Sequence, residues 1–445
     1  MNTYDSQVAA GILERAGYEV IAREEEAENG PGGKEPSAEA AKADVVLLNT
    51  CAVREHAEAR VFGRLGIYGK AKKQRPGLLV GLMGCMVEEH REALFKRFPQ
   101  LDFMIGTRNI KELPQVIAES LERRRQVLRI REDGLAIEYS DFIKRERGFH
   151  AWLPIMTGCN KVCTFCIVPK TRGAEVSMPP EEVLREARRL VADGVKWITL
   201  LGQNVNSYQG SGIRDQESVD FSGLLERLCA VSGLDRISFT TSHPADATEA
   251  LFKTIAAHPK ISRRFHLPLQ SGSDRILKRM KRLHTYREFK EKIDRLRALV
   301  PGIGLTTDII AGFPGETGED HQATVQALEE IRFDGAFIYK YSERPGTPAS
   351  KLADDVPIHI KEQRNRELLE IQKRITEERN RAYLSRILEV FVEGTSRKKT
   401  AGLLGRSLEE KKVVFPGPAA LVGTFQKVTL EKLVHDTFVG ERVDP

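Results

Sequence analysis

The chain has 445 residues, with 69 Lys and Arg against 63 Asp and Glu and a net charge of +6. At 41% hydrophobic and 30% charged, it has the proportions of an ordinary globular protein of two to four domains. No apolar run is long enough for a membrane span and none opens the chain as a secretory leader, so the expected setting is the cytosol, where 6 cysteines do not read as a disulfide framework.

In chain order, residues 1–125 read as a first domain of alternating helix and strand. Val8, Ile12 and Leu13 share one face of an opening helix. The acidic, Gly- and Pro-containing stretch from Arg23 to Ala43 has no apolar period and reads as a surface loop. "ADVVLLNT", "LLVGLMG" and "DFMIGT" are short apolar runs suited to buried parallel strands, with helices between them. The pattern predicts an open, doubly wound α/β sheet. Cys51 follows the first of these runs and Cys85 the second, and functional groups gather at the carboxyl ends of strands in such sheets. Residues 126–148 read as a linker.

A second domain, 145–377, repeats strand, polar motif and helix six times. The strands are "AWLPIM", "KWITLL", "RISFTT", "RFHLPL", "GLTTDIIA" and "GAFIYKY". Six units are too few for an eight-stranded barrel, so a partial, open (β/α)6 barrel is expected, with its polar motifs at one end. The first motif, "TGCNKVCTFCIVPKTRG", holds Cys159, Cys163 and Cys166. Zinc usually takes four ligands in two CxxC-like pairs, and no second pair is near. Three thiolates at this spacing suit three irons of a [4Fe–4S] cluster, leaving the fourth iron open for chemistry. Cys229, in "LLERLCAVSG", reads instead as a core helix residue. A long charged helix from Ile358 leads to a third domain, 380–444, whose short β-like runs predict a small β-barrel. Basic runs at Arg123–Arg125, Lys278–Arg282 and Ser396–Lys399 read first as solvated faces.

The CxxxCxxC motif, with Phe165 before its last cysteine, resembles the radical S-adenosylmethionine superfamily. With "NTCAVREHAEARVFGRLG", "GCMVEE", "LLGQNVNSY", "HLPLQSGSDRIL", "TTDIIAGFPGET", "YKYSERPGTPA" and "SRKKTAGLLGRS", nearly the whole chain resembles the methylthiotransferases. The resemblance implies a radical-generating [4Fe–4S] cluster on Cys159, Cys163 and Cys166, and an auxiliary [4Fe–4S] cluster with Cys51 and Cys85 among its ligands. It implies S-adenosyl-L-methionine as cofactor, with Phe165 near its adenine and Gln203, Gln270 and Asp308 as further contacts to cofactor or substrate. The terminal barrel resembles the RNA-binding TRAM domain, with Ser396, Arg397, Lys398 and Arg406 facing tRNA. The implied reaction is methylthiolation of carbon 2 of N6-dimethylallyladenosine at position 37 of tRNA. The implied enzyme is a monomer with no membrane partner, served by a sulfur donor and an electron donor that the sequence does not identify. An unactivated aromatic C–H is beyond acid–base side chains at neutral pH, so the cofactors carry the chemistry and the protein holds them in register.

The pattern departs from the family at its start. "MNTYDS" begins at the Met and Asn of the turn that carries the family's first auxiliary cysteine, so that cysteine and its strand are absent here. Two readings follow: a misplaced start, favoured because Cys51 and Cys85 remain, or loss of the auxiliary site. The alternatives to the implied function are the branch acting on threonylcarbamoyladenosine in tRNA, and an RNA-binding iron–sulfur protein without transfer activity.

Overall fold

In this computed structural model the chain is described apart from residues 1, 22–41, 51–54, 124, 132–142, 144–147, 212–217, 397–401 and 444–445. It forms two compact units. The first comprises Met1–Glu146 with Thr157–Lys161 and Ile167–Val176; the second comprises Arg147–Met156, Val162–Cys166 and Ser177–Pro445.

The first unit is built on four parallel strands in chain order, Val45–Thr50, Leu79–Gly84, Phe103–Ile105 and Val127–Arg129. Alternate strand residues bury on opposite faces, as the pleat dictates. Val46, Val80, Leu82 and Met104 pack with Leu65 and Tyr68 of the helix Glu55–Gln74. Leu79, Met83, Phe103 and Ile105 pack with Ala9 of the helix Asn2–Arg15 and with Val116 and Ile117 of the helix Leu113–Arg123. The sheet is therefore covered on both sides, as expected of a doubly wound fold. Each such aliphatic side chain contributes about 1.5–3 kcal/mol on full burial. Gly81 is required by close approach, since a Cβ there would lie 2.2 Å from the Phe103 ring. The fourth strand falls where the sequence reads as linker. At three residues, "VLR", it is too short to show a period and is specified by its neighbour Phe103–Ile105.

The second unit opens with six parallel strands in chain order: His150–Pro154, Trp197–Leu201, Arg236–Phe239, Arg264–His266, Gly304–Ala311 and Gly335–Lys340. They form two three-stranded sheets joined by a parallel bridge from Ile237 to Ile261. Among the described residues the first and last strands do not pair with each other, so the (β/α)6 barrel is open. Several of its helices start on side-chain caps. Thr285 with Glu288 and Thr317 with Asp320 make full capping boxes, and Ser273 accepts from Ile276 N. Outward strand residues such as Phe239, Phe265, Leu305 and Ile309 are fully or nearly fully buried under these helices, while His266, Asp308 and Phe337 line the half-open inner face.

The charged helix Ile358–Arg381 leads into a closed barrel of five strands, Ile387–Thr395, Leu403–Ser407, Lys412–Phe415, Phe425–Val434 and Thr437–Arg442. Val390, Val392, Leu403, Val413, Phe415, Val428, Leu430 and Phe438 fill it. The last strand is the one the sequence reading lacks. Its hairpin turns on His435 and Asp436, with His435 at φ +55°, rather than on the glycine pair that marks such turns.

The barrel is seated against the starting ends of the core strands. Phe149 meets Phe391 edge-on, Lys196 Nζ donates to Gly423 O, Arg263 N donates to Leu408 O, and Lys411 Nζ pairs with Asp334. Arg236, 1% exposed, donates to Arg406 O at 2.9 Å and Ser407 O at 3.0 Å, and lies against the rings of Trp197 and Phe425.

Candidate cofactor site

The two parts of the cysteine motif are held differently. In the first unit, Gly158 takes φ +74°, and a Cβ on it would lie 2.0 Å from Ala174 O; only glycine fits this turn. Cys159 N then donates to Gly173 O at 3.2 Å, and Lys161 N donates to Cys159 Sγ at 3.4 Å. In the second unit, Cys166 N closes a turn on Cys163 O at 3.1 Å. Thr164 N donates to Met280 O, and Thr164 O accepts from Ala349 N, which fixes this stretch on the core.

Cys163 is buried, and hydrogen-bond donors surround its sulfur. Arg282 Nη1 stands 3.3 Å from Sγ and His243 Nε2 4.0 Å from it. Arg282 is itself buried and oriented by a 2.8 Å bond from Nη2 to Pro268 O. Ala245 N donates to His243 Nδ1, so neutral His243 carries its proton on Nε2, facing the thiol. Backbone and side-chain donors aimed at thiolate sulfurs are what an iron–sulfur cluster's surroundings supply. Among the described residues no three His, Cys, Asp or Glu side chains gather as ligands of one metal ion. The soft donor set fits an iron–sulfur cluster.

Cys85 begins the short helix Cys85–His90 directly after the second strand of the first sheet. Arg172, six residues beyond Cys166, donates from Nε to Cys85 Sγ at 3.2 Å and from Nη2 to Asp5 Oδ2 at 2.6 Å. Burial pulls the Arg172 guanidinium toward losing its proton, but Asp5 and Cys85 outweigh that and hold it more firmly charged than usual. Nearby, burial raises the Glu88 carboxyl above its ordinary value against an opposing bond from Thr107 N. Cys51 lies outside the described residues. The register pairs Thr50 with Gly84, the residues just before Cys51 and Cys85. Gly84 has φ +103°, and a Cβ there would lie 2.5 Å from Thr50 O, so the two strand ends meet only through glycine.

The other expected site residues scatter in role. Phe165 is half-buried against Ile276, Met280, Phe313 and Tyr341. Gln270 has φ +74°, and among the described residues its buried Oε1 has no hydrogen-bond partner, which leaves an acceptor four residues beyond the fourth core strand, where Gln270 bridges to Ile309. Asp308 sits mid-strand on the inner face, 3.3 Å from His266 Nε2. Gln203 lies in the bend after the second core strand, partly buried. Cys229 ends the core helix Phe221–Cys229, half-buried, with its thiol pushed up to about 11 by burial. In the barrel, Ser396 N donates to Gly402 O, and Arg406 pairs with Glu393 at 3.0 Å. Arg397 and Lys398 lie outside the described residues. Arg172, His243 and Arg282 are missing from the sequence-based set, although Arg172 follows the cysteines in "KTRG", His243 follows the third core strand in "SHPAD", and Arg282 ends the basic run "KRMKR" after the helix Asp274–Arg279.

Residues 153–328 match the Radical SAM superfamily, and residues 31–106 match the uncharacterized protein family UPF0004. Among solved structures, the radical S-adenosylmethionine methyltransferase TsrM from Kitasatospora setae, with cobalamin and a [4Fe-4S] cluster bound, matches with TM-score 0.54 at 16% identity, over 78% of this chain and 70% of that one. The same enzyme with tryptophan substrate and a SAM analog bound gives 0.53 at 14%, over 75% and 69%. At that identity the likeness is one of fold alone. Over the whole length, tRNA-2-methylthio-N(6)-dimethylallyladenosine synthase of Dictyoglomus thermophilum is 43% identical, across 99% of this chain and 96% of that protein. The enzyme of the same name from Carboxydothermus hydrogenoformans is 41% identical, across 98% and 96%. The chain belongs to the tRNA-2-methylthio-N(6)-dimethylallyladenosine synthase family.

Proposed function

We propose that this chain is the radical S-adenosylmethionine enzyme that places a methylthio group on carbon 2 of N6-dimethylallyladenosine at position 37 of tRNA, in the cytoplasm. The observation that carries this reading is full-length identity of 41–43% to synthases of that name, together with a CxxxCxxC loop following the first strand of a radical S-adenosylmethionine core. Cys159, Cys163 and Cys166 would hold a [4Fe–4S] cluster, and Cys51 and Cys85 would contribute to a second. When bound, the first cluster supplies the electron that cleaves S-adenosylmethionine to methionine and a 5′-deoxyadenosyl radical. The chain's own residues hold and shield these groups: Thr164 anchors the loop, Gln270 offers a buried acceptor, and His266 with Asp308 lines the open inner face. We assign residues 1–125 to a methylthiotransferase domain, 145–377 to the radical core and 380–444 to an RNA-binding barrel of TRAM type.

The test is Cys163→Ala. Two remaining thiolates cannot hold the cluster with its open iron, so the anaerobically reconstituted variant should form no 5′-deoxyadenosine. Normal 5′-deoxyadenosine formation by that protein would overturn the assignment. Loss of the 2-methylthio-dimethylallyl nucleoside from the tRNA of a deletion strain checks the substrate.

A further inference from the structure

The side chains around Cys163 carry an inference that the cysteine motif alone does not. We propose that Arg282 and His243 are positioning residues that set the reduction potential of the cluster Cys163 would hold; this rests on the ligand assignment made above. Arg282 brings a permanent positive charge to 3.3 Å from the sulfur, in a site where both residues are buried. Its fork is not free to turn away, because Nη2 is bonded to Pro268 O at 2.8 Å. His243 is held as firmly. Asn206 clamps its backbone from both sides, accepting from His243 N at 2.8 Å and donating to His243 O at 2.9 Å. Ala245 N occupies Nδ1, so the ring presents Nε2–H to the sulfur at 4.0 Å.

Reduction adds one negative charge to a cluster. A cation and an N–H dipole fixed beside a ligand sulfur stabilise that added charge more than the oxidised state, which raises the potential. Burial strengthens the effect, because little water screens it. Arg282 is therefore the larger contributor, and His243 acts in the same direction with less weight at its longer distance.

The experiment is a redox titration of reconstituted full-length protein, following by electron paramagnetic resonance the signal that S-adenosylmethionine perturbs. At the poise where wild type is half reduced, Arg282→Met should show an about tenfold lower ratio of reduced to oxidised cluster, which is 59 mV for a one-electron couple. Arg282→Lys keeps the charge and should recover part of the shift. His243→Leu should move the potential the same way by less, and His243→Gln, which restores a donor, should return toward wild type. Iron content should stay at the wild-type level in all four. If Arg282→Met and His243→Leu assemble the cluster and titrate at the wild-type midpoint, the proposal is wrong while the ligand assignment stands. If Arg282→Met does not fold, a wild-type midpoint in Arg282→Gln, which removes the charge, and in His243→Leu overturns it equally. If Cys163→Ala retains the S-adenosylmethionine-sensitive signal, the ligand assignment itself fails.

Discussion

Arg172 bonds Cys85 Sγ and Asp5 Oδ2 with the two sides of one guanidinium, at 3.2 and 2.6 Å. The residue belongs to the segment that follows the third cysteine of the motif, yet its side chain is spent on the strand end and opening helix of the first sheet. Both members of the ion pair are 5% exposed. Removing one leaves the other charged and uncompensated, a loss of about 3–5 kcal/mol for a buried pair. Arg172→Met should therefore lower the midpoint of chemical unfolding of the first unit by a corresponding amount. Asp5→Asn, which keeps an acceptor, should cost less. Equal stability of Arg172→Met and wild type would show that the pair contributes nothing net.

One buried and one half-buried histidine should make the second unit sensitive to mild acid. Burial pushes His150 down to about 4 and His284 down to about 3 from an ordinary 6.5, with nearby Arg406 and Arg282 adding to the effect. Their folded values lie below their unfolded ones. Stability is then flat above pH 6.5 and falls as pH drops toward 4, by up to about 1.4 kcal/mol per pH unit for each ring. Among the described residues neither ring nitrogen of His284 has a partner, and the ring lies 5.7 Å from that of Phe289. His284→Phe should remove one histidine's share of the slope, measured by thermal unfolding between pH 7 and 5.

The seat of the terminal barrel depends on Arg236. Its charged bonds to two barrel carbonyls, each worth about 1.5–3 kcal/mol, have no substitute once the guanidinium is gone. In Arg236→Met the barrel should be cleaved from the core by protease faster than in wild type, while the core strands remain resistant. Nearby, burial tends to raise the Glu410 carboxyl, but Arg264, Ser238 and Ser262 hold it below its ordinary value. That contribution is present above about pH 4.5 and is lost as pH falls through the lower folded value, so acid should release the barrel further.

For RNA, Arg397 and Lys398 carry the expectation from the sequence. Changing both to Ala should weaken tRNA binding and reduce the slope of log affinity against log salt by about one to two units. An unchanged slope would make them a solvated turn. S-adenosylmethionine cleavage without tRNA should be little altered.

Much of this architecture was legible in the sequence because its strands are buried on both faces. Continuous runs such as "LLVGLMG" and "GLTTDIIA" leave little choice of element, and the polar motifs after them mark the strand ends. Val127–Arg129 and Thr437–Arg442 were not legible. The first is too short to show a period, and the second follows a His-Asp turn whose φ +55° at His435 needs no glycine signature. The cysteines announced themselves by spacing. Arg172, Arg282 and His243 did not, because what makes them notable is distance: each meets a sulfur 80 to 119 residues away in the chain.

The barrel rests on the starting ends of the core strands, and the cysteine loop follows the finishing end of the first. The longest strand between those ends, Gly304–Ala311, has 8 residues, or about 26 Å at 3.3 Å per residue. The core strands thus separate the terminal barrel from the loop that carries Cys163 and Cys166. A molecule engaged at both places at once must span that gap. A folded polynucleotide can do so, whereas a single nucleoside can occupy only one end.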